Sequence, residues 1–522
     1  MLVKDLNFGN LAAEGDLIKT DSSAFIETYK YNEMLEPKQR IILGRKGIGK
    51  TAFCYEYVKK PPVTYDHVIE IDAKEISFDP FIKVYEEISS RTIGKIDLKK
   101  NISQVWEQSI ITSCMVLVHN NQKYVGGDKL IISSYLTNQD IATSNLYNVI
   151  IRTLKNVPYF LGRNIGEATE RIIDDTSDFV CGNTDYDIAR QAFFRFVEEN
   201  EVSFLITFDH LDTYFETKFV DTDENRRVRD AIRNILEGLI QAVYNISISD
   251  QLFKFIHFKI FIPMSKYQSI NLYDLDKIQQ YIFVIRWEKN DLIDFVSRRI
   301  AISWNIKSNN QYSDSLDATW YQLFSGKTIN NKSLEGKSER IEDFLIRNTF
   351  YRPRDLQIYL EEAKKRALRE SSLNNSIAPE ILYDTVTSKR KEIAESLLKE
   401  YEYDCIYLRS LISLFRRSSN FMSYSDQFYP KLRKFHSQRC SHVDIGKLET
   451  ALYNIGFIGG VRESNDALQE NVPYSIYNKK YYYFYFCYYD SHFNIQDSDS
   501  IVIHPAFNEY LRLNVNKKIA IG

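Results

Sequence analysis

Paired cysteines are missing from this chain. Its six, Cys54, Cys114, Cys181, Cys405, Cys440 and Cys487, are scattered without paired spacing, which excludes a disulfide framework and suits reduced thiols in a cytosol. No uninterrupted apolar stretch reaches the ~18 residues that a membrane-spanning helix uses. The start, MLVKDLNFGNLAAEGDL, has no basic segment followed by an apolar core, so neither a membrane span nor a secretory leader is expected. A surplus of charge is absent as well: 67 Lys and Arg against 70 Asp and Glu leave a formal net charge of −3. That excludes a uniformly basic coat for nucleic acid and restricts any such contact to a local patch. Glycine is scarce, 19 in 522 residues, which makes a cluster of three at positions 44, 47 and 49 conspicuous.

What is present is an ordinary globular composition, 44% hydrophobic and 26% charged, with 36 tyrosines. A chain of this length can bury large cores and is expected to hold about three domains, at ~150 residues each. The expectation is a soluble cytoplasmic protein.

The glycine cluster lies in ILGRKGIGKTAF, residues 42 to 53. It reads as an apolar strand, a loop from Gly44 through Arg45, Lys46, Gly47, Ile48 and Gly49, and then Lys50, Thr51 and Ala52 opening a helix. Glycines are required where the backbone turns tightly and brings successive N–H groups against phosphate oxygens. Lys50 is placed to reach the outer phosphates and Thr51 to bind Mg²⁺ through its hydroxyl, while the helix directs its positive end at the anion. The context agrees with that chemistry. QRIIL before the loop is strand-like, TAFCYEYVKK after it is helix-like and stops at Pro61-Pro62, and HVIEID (67 to 72) supplies a second strand.

A phosphate-binding loop needs a carboxylate at the end of a neighbouring strand to hold the metal through water. SFLITFDHLDTYFE, 203 to 216, offers a buried parallel strand with Asp209 at its carboxyl end. Asp209 is the expected magnesium-side acid. The next residue, often the acid that activates water in such ATPases, is His210, which leaves Asp212 as the candidate base with Glu216 nearby. Thr51 and Asp209 are 158 positions apart, so an insertion is expected, mostly helical by its three- and four-residue apolar spacing, between about 80 and 200. NRRVRDAIRNILEGLIQAV (225 to 243) is an amphipathic helix whose Arg226, Arg227, Arg229 and Arg233 are weighed as an arginine finger against a solvated face. FKIFIPMSKY (258 to 267) reads as a strand ending at Ser265-Lys266, a weak candidate γ-phosphate sensor.

RWEKNDLIDFVSRRIAISW (286 to 304) reads as a strand end, a cap at Asn290 or Asp291, and a helix with Leu292, Phe295, Val296 and Ile300 turned inward. It begins a helical domain in which NTFYRPRDLQIYLEEAKKRA (348 to 367) sets Pro353 in a first helical turn and Arg354 at the helix start. An arginine there is suited to contact a γ-phosphate and couple hydrolysis to movement of a lid.

Taken in order, GRKGIGKTA, a strand ending D-x-x-D, a W…L…R helix start and RPRDL resemble bacterial members of the AAA-like and STAND-like P-loop ATPases. These include families linked to antiviral defense against phage. The resemblance spans about residues 5 to 370. It implies an ATP-driven switch with a lid, often oligomeric, in which Lys50, Thr51 and Asp209 bind Mg-ATP and Arg354 senses it. His210 departs from the commonest acidic pair, which leaves hydrolysis open.

The remainder has a different character. VDIGKLETALYNIGFIGGV reads as a helix entering a glycine turn, YSIYNKKYYYFYFCYYD as a hairpin with Asn-Lys-Lys at its turn, and DSIVIHPAFNEYLRL as a strand and a closing helix. Helices followed by a two-stranded wing resemble a winged-helix domain. Before them, Arg409, Arg416, Arg417, Lys431, Arg433, Lys434 and Arg439 face a single acid, Asp426, a patch for DNA or RNA phosphates or for a protein partner. His436, Cys440 and His442 have ligand-like spacing but no second cluster to complete a metal site. The expected organisation is a P-loop ATPase core at 1–285 with the helical insertion inside it, a helical lid at 286–387, and a C-terminal α+β winged-helix-like domain at 388–522. Three functions remain open: a hydrolysing homo-oligomeric switch, a scaffold that holds nucleotide without turnover, and an ATPase that loads or moves on DNA. No nuclease, deaminase or membrane-disrupting element is visible, so an output activity is expected from a separately encoded effector.

Overall fold

The computed structural model describes residues 2–28, 30–75, 98–142, 149, 184–211, 223–249, 251–270, 275–305, 319–332, 338–371, 374–402, 405, 407–467, 472–490 and 493–516. These form two compact units, one of residues 32–45 and 53–285, the other of residues 1–31, 46–52 and 286–522.

The first unit is built on a five-stranded sheet. Its strands are β1 (Ile41–Gly44), β2 (His67–Asp72), β3 (Phe204–Asp209), β4 (Ile256–Pro263) and β5 (Ile282–Val284), in the order β2-β3-β4-β1-β5. All four pairings are parallel, so every strand presents its carboxyl end on the same edge. Every residue of β1 and β3 is buried, as continuous apolar runs covered on both faces require. The segment between β2 and β3 contains helices Leu98–Asn120, Gly127–Asn138 and Thr184–Asn200. Leu98–Asn120 packs along Asp223–Ile248: Trp106 donates its indole N–H to the Ile235 carbonyl at 3.1 Å, and a Cβ on Gly238 would stand 2.5 Å from Ile102. Gly238 is what lets these two helices approach so closely. Lys259 on β4 is buried, and its ammonium donates to the carbonyls of Met34, Glu36 and Gln39, which shape the turn leading into β1.

The second unit carries helices Lys289–Ser303, Ile341–Arg347, Pro353–Glu370 and Pro379–Tyr401, with a small hairpin of β6 (Thr328–Asn330) and β7 (Ser338–Arg340). Leu292, Phe295, Val296 and Ile300 are buried as their spacing predicts, but the cap differs from the expectation. Glu288 caps the first turn and Asp291, three residues on, closes a capping box. The N-terminal segment is fastened here by a buried ion pair, Arg299 to Asp16 at 2.9 Å, and by Gln357 donating to the Phe8 carbonyl at 2.8 Å.

The C-terminal part holds more sheet than a two-stranded wing. β8 (Phe421–Ser423), β9 (Ile458–Ser464), β10 (Tyr474–Tyr477), β11 (Lys480–Tyr485) and β12 (Ser500–Ile503) form an antiparallel sheet in the order β10-β11-β9-β12-β8. The hairpin turn contains two residues, Asn478 and Lys479, with Lys480 already paired to Tyr477. Both turn residues have positive φ, 51° and 62°, the left-handed backbone that two-residue hairpin turns use. Val461, Tyr482, Phe484, Phe486 and Val502 form the core of this sheet. The α/β core and the later α+β region expected from the sequence are thus both present.

Candidate functional site

The loop between β1 and the helix Lys50–Lys59 takes the backbone that its glycines permit, with φ of 79° at Gly47 and 101° at Gly49. A Cβ on Gly47 would lie 3.2 Å from Cβ and Cδ of Arg354, so the arginine stem rests directly on this glycine. Pro353 begins the helix Pro353–Glu370 at its first turn, as its fixed φ favours, which sets Arg354 there. Arg354 is half-buried, and its Nε is buried with no hydrogen-bond partner among the described residues. Such a donor is costly to leave unmade in a fold with no use for it.

Three further residues, none of them assigned to the loop by the sequence pattern, hold its backbone. Trp287 donates its indole N–H to the Ile48 carbonyl at 2.8 Å. Glu400, near the end of Pro379–Tyr401, accepts the Lys46 N–H at 2.9 Å. Arg352 grips Asp355 with two N–H groups at 2.9 and 3.0 Å and donates a third to both Glu400 and the Lys46 carbonyl, each at 3.2 Å. In RPRD the signal was available: Arg352 and Asp355 stand three apart across a helix start, the spacing of a local ion pair. Glu400 carried no such signal, and Trp287 stood only as the first residue of the W…L…R helix start, because both reach the loop through the fold. Trp287 also lines a cleft of about 510 Å³ with Arg286, Tyr351, Tyr474, Tyr488 and Tyr489.

Lys50 and Arg45 are buried, as is Ala52, and Thr51 is half-buried. Asp209 is buried at the carboxyl end of β3. Through their common neighbour β4, Phe208 and Ile41 both stand level with Ile260. Asp209 is therefore two strands from β1, about 10 Å at the usual spacing, near the edge where Gly44 ends its strand. Asp209 pairs in register with Asp72 at the end of β2. His210, in left-handed backbone at φ 58°, turns Nδ1 to Asp72 Oδ1 at 3.0 Å and lies 3.7 Å from Asp209 Oδ2. The residue that departs from the acidic pattern thus sits between two carboxylates. Cys54, one turn into the helix after the loop, is buried; burial first, and the neighbouring Asp209 second, push its thiol pKa well up, while Thr207 hydrogen-bonds it. It stays a protonated packing residue rather than a nucleophile.

Asp212 and Glu216 lie outside the described residues, as do the side chains of Arg226, Arg227 and Arg229. Arg233 pairs with Asp230 at 2.6 Å. Ser265 and Lys266 belong to the short helix Met264–Ser269 that follows β4, and both are buried. His436 hydrogen-bonds the Val443 carbonyl at 2.7 Å, and no cluster of His, Cys, Asp and Glu able to hold a metal occurs among the described residues. No helix of the described chain is long and apolar enough to cross a membrane. Cys54, Cys114, Cys405, Cys440 and Cys487 take part in no disulfide among the described residues.

No family model and no solved structure matches this chain. It is similar to the putative transposon gamma-delta 80.3 kDa protein of Escherichia coli strain K12, at 21% identity over 546 aligned residues that cover 98% of this chain and 67% of that protein.

Proposed function

We propose that this chain is an ATP-binding switch of the AAA-like or STAND-like P-loop type, which hydrolyses ATP and passes the nucleotide state to a partner. The observation that carries the reading is the loop itself. Gly47 and Gly49 turn in left-handed backbone between a buried parallel strand and a helix start, and Arg354 lies across Gly47 with a buried Nε that has no hydrogen-bond partner among the described residues. Backbone N–H groups, a helix N-terminus and a guanidinium together fit a polyphosphate. Lys50 is assigned to the outer phosphates, Thr51 and Asp209 to Mg²⁺, and Arg354 to the γ-phosphate. Mg-ATP, when bound, supplies the phosphoanhydride whose loss distinguishes the two states of the switch. Glu400 on the helix Pro379–Tyr401, Arg352 at the cap of Pro353–Glu370 and Trp287 just before Lys289–Ser303 hold the loop in shape.

Steady-state phosphate release tests the reading, with Lys50→Ala as the control. Turnover above that control is expected, and its absence with every partner and nucleic acid tried would remove the hydrolytic part. One observation favours a second reading, a scaffold that keeps its nucleotide intact. The position after Asp209 holds His210, tied to Asp72, in place of an acid. Purified protein carrying unhydrolysed ATP would support the scaffold, and robust turnover would exclude it. Assembly into a homo-oligomer and a role in antiviral defense belong to the same proposal and follow from the resemblance alone, and the separately encoded effector follows from the lack of a visible output element in the sequence.

A further inference from the structure

Seven cations face one acid between positions 409 and 439, and the fold divides them unequally. Arg409 is neutralised by Glu402 at 2.7 Å and Glu395 at 3.2 Å. Lys431 donates to Ser418 at 2.6 Å, a bond that ties the helix Tyr429–Arg439 to the loop carrying Arg416 and Arg417. Arg416, Arg417, Arg433, Lys434 and Arg439 are exposed, and none makes an ion pair or side-chain hydrogen bond with another described residue. Asp426, the acid of the segment, is turned to Ser423 and Ser425. Five unpaired cations thus lie on one helix of about 16 Å length, at 1.5 Å per residue, and on the loop bonded to it.

We propose that this surface binds the phosphate backbone of double-stranded nucleic acid without reading its sequence. Four of the five cations are arginines, whose planar forks match phosphate oxygens in pairs. Between 413 and 442 the Phe and Tyr rings are buried or half-buried, with Phe421, Tyr424 and Tyr429 half-buried, so no fully open ring offers a platform on which a single strand would stack. No large exposed apolar side chain lies there either, which removes the apolar centre that a protein interface is built around. Base reading in a winged-helix arrangement would fall to the next helix, Ile445–Asn454, and that helix is poorly equipped for it. Its exposed side chains include a single cation, Lys447, beside the capping carboxylate of Asp444. The cationic face belongs to the helix before it, so phosphates are engaged and base edges are not. This inference is independent of the ATP reading, because the patch lies on the C-terminal elements and needs no nucleotide.

The test is fluorescence anisotropy of the full chain with a labelled 30-base-pair duplex of arbitrary sequence, titrated from 50 to 200 mM salt. With up to five phosphates engaged, log affinity is expected to fall against log salt with a slope of up to about −4.5. Arg433→Glu with Lys434→Glu is expected to weaken binding at least tenfold and to flatten the slope by about two units. Lys479→Glu on the β10–β11 turn is expected to change neither. Arg416→Ala with Arg417→Ala gives an independent weakening should the double reversal fail to fold. Duplex binding that is absent, insensitive to salt, or unchanged by both pairs of substitutions would overturn the proposal. Tighter binding of a single strand of the same length, or of polyglutamate, would overturn it in favour of a stacking or an acidic protein partner.

Discussion

Arg352 and Arg354 are separated by one proline, yet their surroundings differ in kind. Arg352 commits two N–H groups to Asp355 and a third to Glu400, with side chains only 4%, 1% and 8% exposed. Removing it strands two buried carboxylates, a loss of about 3–5 kcal/mol by the usual cost of breaking a buried pair. Arg354 lies on Gly47 and has no ion pair among the described residues, so trimming it costs little packing. Chemical denaturation of Arg352→Ala and Arg354→Ala is therefore expected to separate them. The first should lose most of its stability, and the second should stay within about 1 kcal/mol of the parent while its affinity for ATP drops at least tenfold. Equal destabilisation by the two would contradict the division of roles. Both arginines of RPRD reach the loop, but Arg352 is committed to Asp355, Glu400 and the Lys46 carbonyl while the stem of Arg354 rests on Gly47.

The parallel sheet carries two histidines in surroundings that disfavour charge. His257 on β4 has its pKa lowered below the usual 6.5, first by burial and then by Arg40 and Lys259 nearby, against the Lys254 carbonyl that favours the ion. His67 on β2 is lowered chiefly by burial and stacks on Phe204 with ring centroids 5.2 Å apart. Between those depressed values and 6.5 the unfolded chain binds more protons than the folded one, so stability falls as pH drops through that window and is restored above it. Thermal unfolding between pH 7.5 and 5 is expected to show this loss, and His257→Gln to make the curve shallower. A stability that rose on acidification would refute it. At the strand ends, His210 departs from the acidic pattern and is held by a residue far from it in the chain. Its partner, Asp72, lies 138 positions earlier and is brought beside it by parallel pairing of β2 with β3.

At the scale of the whole molecule the proposed switch has a mass-dependent signature. Native mass measurement with and without ATP is expected to show a larger assembly with ATP, absent in Lys50→Ala; identical masses in all three samples would remove the oligomeric part. Much of this protein was legible without coordinates. The strands at 41–44, 67–72 and 204–209, the helix after the loop and the hairpin near 478 follow from apolar runs, glycines and turn residues, all local signals read within a dozen positions. The five-stranded antiparallel sheet was not legible, because β8 and β12 pair across nearly eighty residues and neither alone is more than four residues long. The basic segment was visible as composition, but not which of its cations are left unpaired, since Glu395 and Glu402 reach Arg409 from the preceding helix and its end. The sequence by itself determined that a glycine loop turns tightly between a buried strand and a helix, because a left-handed turn favours glycine wherever it occurs. Only the tertiary structure decided that Arg354 rests on Gly47, that Glu400 and Trp287 hold the loop and that His210 lies between two carboxylates, because contacts between distant segments are set by packing and leave no periodic trace in the chain.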